Sequence, residues 1–196
     1  MPRRREQFDP RAILAALRES RVDYVLIGGL AQVIRGADVI TISVDICPSF
    51  AAGNLERLAD TAAGLAAQNT DGGVVDLTEA KVGEEAVISL STPAGSLRIL
   101  GSPTGAPNGY VDLRRAATRE HLGQGVQPLV ASVGDLARMA SALHREQDLK
   151  RLPQLRHIIE LEADREQTLR PSGSARQPTR SASRAAPAGR AAPAGR

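Results

Sequence analysis

The stretch that decides the fold is YVLIGGLAQVIRGADVITISVDICP, residues 24–48. An apolar run, YVLI, ends in Gly28 and Gly29; a short segment of helical apolar spacing follows, Gly36 stops it, and VITISVDIC predicts a second strand. Asp45 is the anomaly. A carboxylate inside a strand this apolar requires a partner or a metal, because an unpaired charge is costly to bury. Two glycines where a strand becomes a helix also allow an anion to approach backbone N–H groups. A tight turn needs the same pair, and neither a GxGxxG nor a P-loop is present.

Working outward, DPRAILAALRES predicts an opening helix with Asp9 as N-cap, Pro10 at the first position and Ile13, Leu14 and Leu17 on one face. Pro48 breaks the second strand, and 54–67 has the spacing of a helix. GGVVDL, EAVISLST and GSLRIL read as short strands separated by turn residues. After the loop GSPTGAPNG, YVDLRRAATRE reads as helical and VQPLVAS as a last short strand. Ser132 with Asp135 resembles a capping box opening VGDLARMASALHR, and a final helical region is interrupted or restarted near Pro153. The order α, β, α, β, α, then strands, then helices predicts a mixed α/β (α+β) domain over 1–165 with a helical C-terminal region.

Composition narrows the class. With 196 residues, 42% of them hydrophobic, the chain supports one domain with a real core and not two. Aromatics are confined to Phe8, Tyr24, Phe50 and Tyr110, so Leu, Ile, Val and Ala must fill the interior. The lone Cys47 excludes an intrachain disulfide framework and a cysteine-based zinc cluster, and fits a reducing compartment. MPRRREQFDP is not followed by an apolar signal region, and no run approaches the roughly 20 apolar residues of a membrane helix, so a soluble, cytoplasmic protein is expected. The formal charge of +3 divides unevenly: 165–196 carries +6 and 1–164 carries −3. The segment 166–196, rich in Arg, Ala, Pro and Gly, reads as a disordered tail, attracting nucleic acid at most weakly through counterion release. The excess of Arg over Lys, 23 to 2, is typical of a high-GC bacterial genome.

IGGLAQVIRGADVITISVDI resembles the nucleotidyltransferase superfamily, the DNA polymerase-β-like fold, and in particular its minimal nucleotidyltransferase and abortive-infection toxin branch. In that family a strand ending in two glycines or Gly-Ser leads into a helix, and the next strand carries two acids one residue apart. Here the element reads Thr41-Ile42-Ser43-Val44-Asp45, so the second acid is present and the first is Ser43. The resemblance extends over about 11–154. STPAGSLRIL is similar to the strand that supplies the family's third acid, at the position of Arg98, and Asp135, Leu136, Met139, Arg145 and Asp148 match later family segments. Family lysines are replaced by Ala140 and Gln147.

The resemblance implies an NTP substrate and Mg²⁺ held by carboxylates, with Asp45 as the metal ligand, Asp45 and Ser43 at the catalytic positions, and Gly28, Gly29, Arg98 and Arg145 as nucleotide contacts. Side chains 43 and 45 project to one face of a strand, which is why the acids come in that spacing. A serine hydroxyl is a poor substitute for a carboxylate toward Mg²⁺, and a fixed cation at 98 repels the metal and favours an ion pair with Asp45. Asp76, Glu79, Glu84 and Glu85 are candidates to replace the missing acids from neighbouring strands, although such charges are more commonly solvated on strands and turns. His121, His144 and His157 share no ligand spacing, Cys47 reads as a small buried hydrophobe, and Ser91, Ser96 and Ser102 lack a nucleophile elbow. Three readings follow: a nucleotidyltransferase-fold protein with an eroded metal site that keeps nucleotide binding; an active Mg²⁺-dependent transferase acting on RNA, protein or a small molecule, of the toxin-antitoxin type; or a non-catalytic, antitoxin-like interaction module with a partner protein.

Overall fold

The computed structural model describes residues 8–143 and 146–169. Helix α1 (Pro10–Glu19) starts as its cap requires: Asp9 Oδ1 accepts from the N–H groups of Arg11 and Ala12, both at 3.1 Å, and Pro10 gives up a donor that the first turn does not need. Ile13, Leu14 and Leu17 are its buried face. The chain then enters β1 (Tyr24–Ile27), buried at every residue, and passes without a side-chain cap into α2 (Gly28–Ile34). Gly36, at φ 92°, ends that helix, and β2 (Ser43–Pro48) and α3 (Asn54–Gly64) follow.

The later elements are β3 (Gln68–Asn69), α4 (Glu79–Glu84), β4 (Ile88–Thr92), β5 (Gly95–Ile99), α5 (Tyr110–Arg114), β6 (Thr118–Arg119), β7 (Leu129–Val130), α6 (Val133–Leu143) and α7 (Glu146–Leu169). The strands form one mixed seven-stranded sheet in the order β3-β4-β5-β2-β1-β7-β6. In its centre β2 runs antiparallel to β1 and parallel to β5, while β1 runs parallel to β7. The outer pairs are antiparallel. Residues alternate between buried and half-buried along β4 and β5, the mark of one covered face, whereas β1 and nearly all of β2 are buried throughout. Leu26, Ile46, Leu97 and Ile99 from the sheet meet Leu17, Leu58, Leu113 and Leu136 from the helices in the main core. A smaller cluster of Ala37, Val133, Ala140 and Leu155 joins α6 and α7 to the segment after α2.

Four local expectations change. The second strand is shorter than VITISVDIC: residues 39–42 belong to no strand, and Ile40 and Ile42 are 91% and 74% exposed. β1 has already turned into α2 at Gly28, and β5 begins at Gly95, so 39–42 has no neighbouring backbone to pair with. GGVVDL is not a strand; Asp76 Oδ1 accepts from Thr78 N at 3.0 Å and turns the chain into α4, which buries Val82. The segment 110–120 is helical only through Arg114 and then supplies β6. Finally, α7 continues through Pro153 and extends to Leu169, past the 165 boundary; residues 170–196 lie outside the described ones.

Candidate functional site

The register of three strands assembles the site. Asp45 pairs across the antiparallel ladder with Ile27, the last residue of β1, and across the parallel ladder with Arg98 on β5. Residue 43 lies two positions earlier on the same face. Ser43 Oγ donates to Asp45 Oδ1 at 2.7 Å, and Arg98 Nη1 donates to Asp45 Oδ2 at 3.1 Å. Both oxygens of a carboxylate that is only 7% exposed are therefore engaged. Burial pushes the Asp45 carboxyl above the ordinary 3.8, and the Ser43 hydroxyl and then the Arg98 guanidinium pull it back.

Gly28 is the other half of this arrangement. It sits at φ 69°, and a Cβ there would lie 2.3 Å from Asp45 Oδ2 and 2.8 Å from Asp45 Cβ and Cγ. The first glycine is thus needed because the Asp45 side chain lies against its Cα, a reason the sequence did not supply. At Gly29 a Cβ would meet Thr41 Cβ and Oγ1 at 2.9 Å. Thr41 Oγ1 in turn donates to Ser43 O at 3.2 Å and accepts from Ser43 N at 3.4 Å, which fixes the entry to β2.

A cavity of about 370 Å³ opens over these residues. Gly28, Gly29, Ser43, Asp45 and Arg98 line it together. Leu100, Leu136, Met139 and Ala140 give it apolar walls, and the exposed Ile40 and Ile42 stand at its edge. Ser102 and Thr104, from the loop GSPTGAPNG, also line it, as do Gln32 and Arg151, which were missed. Gln32 had a signal: it falls one helical turn after Gly28 and so shares its face. Arg151 had none, since only the packing of α7 on α6 brings it to the cavity. Arg145 lies outside the described residues.

Asp45 is the one acid lining this cavity among the described residues. Asp76 and Glu85 line a separate cleft with Lys81, which pairs with Glu85 at 2.8 Å, while Glu79 and Glu84 are exposed on α4. Asp135 is the partner of a helix cap: Ser132 Oγ accepts from Asp135 N and donates to Asp135 Oδ2, and Arg138 pairs with the other oxygen. His121 is exposed and His157 lies 3.7 Å from Glu160 on the surface of α7, while His144 is outside the described residues. Cys47 is buried against Gly101 O, and burial pushes its thiol up to about 12, which keeps it protonated and non-nucleophilic. Ser91 and Ser96 face each other across β4 and β5.

These residues do not fit the Mg²⁺ implied by the resemblance. One carboxylate with both oxygens occupied and a guanidinium at 3.1 Å offers a divalent ion little, and no group of three or more Asp, Glu, His or Cys capable of holding a metal occurs among the described residues. Chemically, the cluster is a nearly neutral polar floor beneath apolar walls. It can orient and hydrogen-bond a bound molecule.

The sequence matches no protein family model, and no curated protein matches it. Among solved structures, it is similar to a crystal structure of a "putative nucleotidyltransferase" from Thermotoga maritima, with a TM-score of 0.45 and 16% identity, over 81% of this chain and 89% of that one.

Proposed function

We propose that this chain is a nucleotidyltransferase-like domain that binds a nucleotide without transferring it. The observation that carries the reading is the saturation of Asp45 by Ser43 and Arg98 at the positions where the resembled family holds metal-binding acids. A cavity of about 370 Å³ falls in the range of ligand pockets, roughly 300–1,000 Å³, and combines apolar walls with a few convergent polar groups in the usual way. Arg98 gives a phosphate-bearing ligand a guanidinium to meet, and its side chain is a third exposed while it holds Asp45.

The test is calorimetric titration of the full chain with ATP, GTP, CTP and UTP, each with and without Mg²⁺, alongside incubation with labelled NTP and total bacterial RNA and protein. Binding of at least one nucleotide that persists in EDTA, without label transfer, is expected. Absence of binding to all four sinks retained nucleotide recognition. Mg²⁺-dependent transfer abolished by Asp45→Ala would overturn the reading in favour of an active transferase.

A further inference from the structure

A second cleft, at the opposite end of β1, has a different character. It encloses about 220 Å³ between α1, the start of β1, α5 and the β6–β7 hairpin. Arg18, Arg21 and Arg119 line it with Tyr24 and Tyr110, and the one acid among its lining residues, Asp23, is 64% exposed and lies 3.9 Å from Arg57. Three guanidinium groups against one carboxylate make the lining positive, with Glu19 3.6 Å from Arg18.

Tyr24 is the informative residue. It is only 8% exposed, and its hydroxyl has no hydrogen-bond partner among the described residues. Gln32 Oε1 is the one fully enclosed side-chain polar atom lacking a partner among them, so the Tyr24 hydroxyl is not sealed in, and Tyr24 lines the cleft. A buried phenol ordinarily finds a partner. Burial raises the Tyr24 phenol well above its usual range while Arg119 lowers it, which keeps it an O–H donor and places the guanidinium within electrostatic reach. Arg119 also acts on Tyr110, whose phenol burial raises as well.

The rim is held in place. Arg18 Nη1 donates to Gln124 O and Arg119 Nη1 to Gln127 O, both at 3.4 Å, and the carbonyl of Arg21, itself at φ 53°, accepts from Arg57 Nε at 3.1 Å. What the cleft offers is a set of donors, cationic and phenolic, with one acid, Asp23, which is 64% exposed and lies 3.9 Å from Arg57. Its volume is below the roughly 300–1,000 Å³ of sites for drug-sized ligands. We propose that this cleft binds a dianionic phosphate group, held by the Tyr24 hydroxyl and the guanidinium groups of Arg119, Arg18 and Arg21. The site is separate from the cavity over Asp45 and stands independently of any activity there.

The experiment is titration of the full chain with inorganic phosphate and with glycerol 3-phosphate at constant ionic strength in chloride, followed by two-dimensional NMR. Inorganic phosphate binding as well as the monoester identifies the free ion as sufficient; tighter binding of glycerol 3-phosphate identifies a phosphorylated small molecule, and both results support the site. Tyr24→Phe, which keeps the ring in the core and removes only the hydroxyl, is expected to weaken binding about tenfold, and Arg119→Gln by at least as much. Arg156→Gln, which removes an exposed cation on α7, should leave it unchanged. Failure of both probes to bind overturns the proposal, as does an equal loss with Arg156→Gln and Arg119→Gln, which would show attraction by net charge alone.

Discussion

Replacing Gly28 by alanine tests the packing on which the site depends. Two costs are separable. The backbone at φ 69° is left-handed, where a side chain costs roughly 1–2 kcal/mol. The new Cβ would also lie 2.3 Å from Asp45 Oδ2 and 2.8 Å from Asp45 Cβ, and the latter is fixed to β2, so the strand or the helix start must move. Overpacking of this kind costs about 1–3 kcal/mol, and any shift of Asp45 strains its contacts with Ser43 and Arg98. A total loss of about 2–5 kcal/mol is expected, read as the urea midpoint by circular dichroism. Gly36→Ala provides the reference, since its φ is 92° and nothing lies within 4 Å of the place its Cβ would take, so it suffers backbone strain alone. Adding Asp45→Ala to Gly28→Ala removes Oδ2 and Cγ from the clash, and the double variant should show a favourable coupling of about 1 kcal/mol or more. Equal losses for Gly28→Ala and Gly36→Ala would refute the close approach of Asp45 to the helix start.

Three further outcomes follow from the same contacts. Arg98→Met keeps the aliphatic stem and strips Asp45 of its cation; with the carboxylate buried and the arginine a third exposed, a loss of about 2 kcal/mol at pH 7 is expected by urea denaturation, reduced in the Asp45→Asn background. The Asp45 carboxyl, followed by carbon-13 NMR, should titrate above 3.8. Because its native form holds the proton more tightly than the unfolded chain, its contribution is fully present below 3.8 and is lost as pH rises through the native midpoint. Comparing the wild-type chain with Asp45→Asn over that window isolates the effect, and a difference that grows in the opposite direction would contradict it. Asn54→Ala removes a fully buried amide that accepts from Asp23 N at 2.8 Å and donates to Asp23 O and Ser49 O at 2.9 and 2.8 Å. About 2–4 kcal/mol should be lost in thermal or urea unfolding, since Asp23 N and Ser49 O lose the partner that Asn54 gives them while Asp23 O keeps Ser49 N.

The sequence by itself determined the strand, glycine pair, helix and strand at 24–48, because burial, a left-handed turn and helix termination each have a local residue signature. It also marked Ser43 and Asp45 as sharing a face, since period-2 alternation is a property of one strand. It singled out Arg98 as a partner for Asp45, which the parallel register of β2 and β5 bears out at 3.1 Å. Tertiary structure decided the rest. Residues 39–42 have the composition of a strand and are not one, because strand formation needs a neighbouring backbone and both candidates end before reaching them. The capping box of Ser132 and Asp135 was legible and is formed, while Arg151 matched nothing and lines the cavity. Gly28 was legible as a turn residue, but only the approach of β2 to α2 shows that its missing Cβ makes room for Asp45. Local rules fix backbone conformation and facing, whereas pairing, enclosure and charge compensation depend on which distant segments the fold brings together.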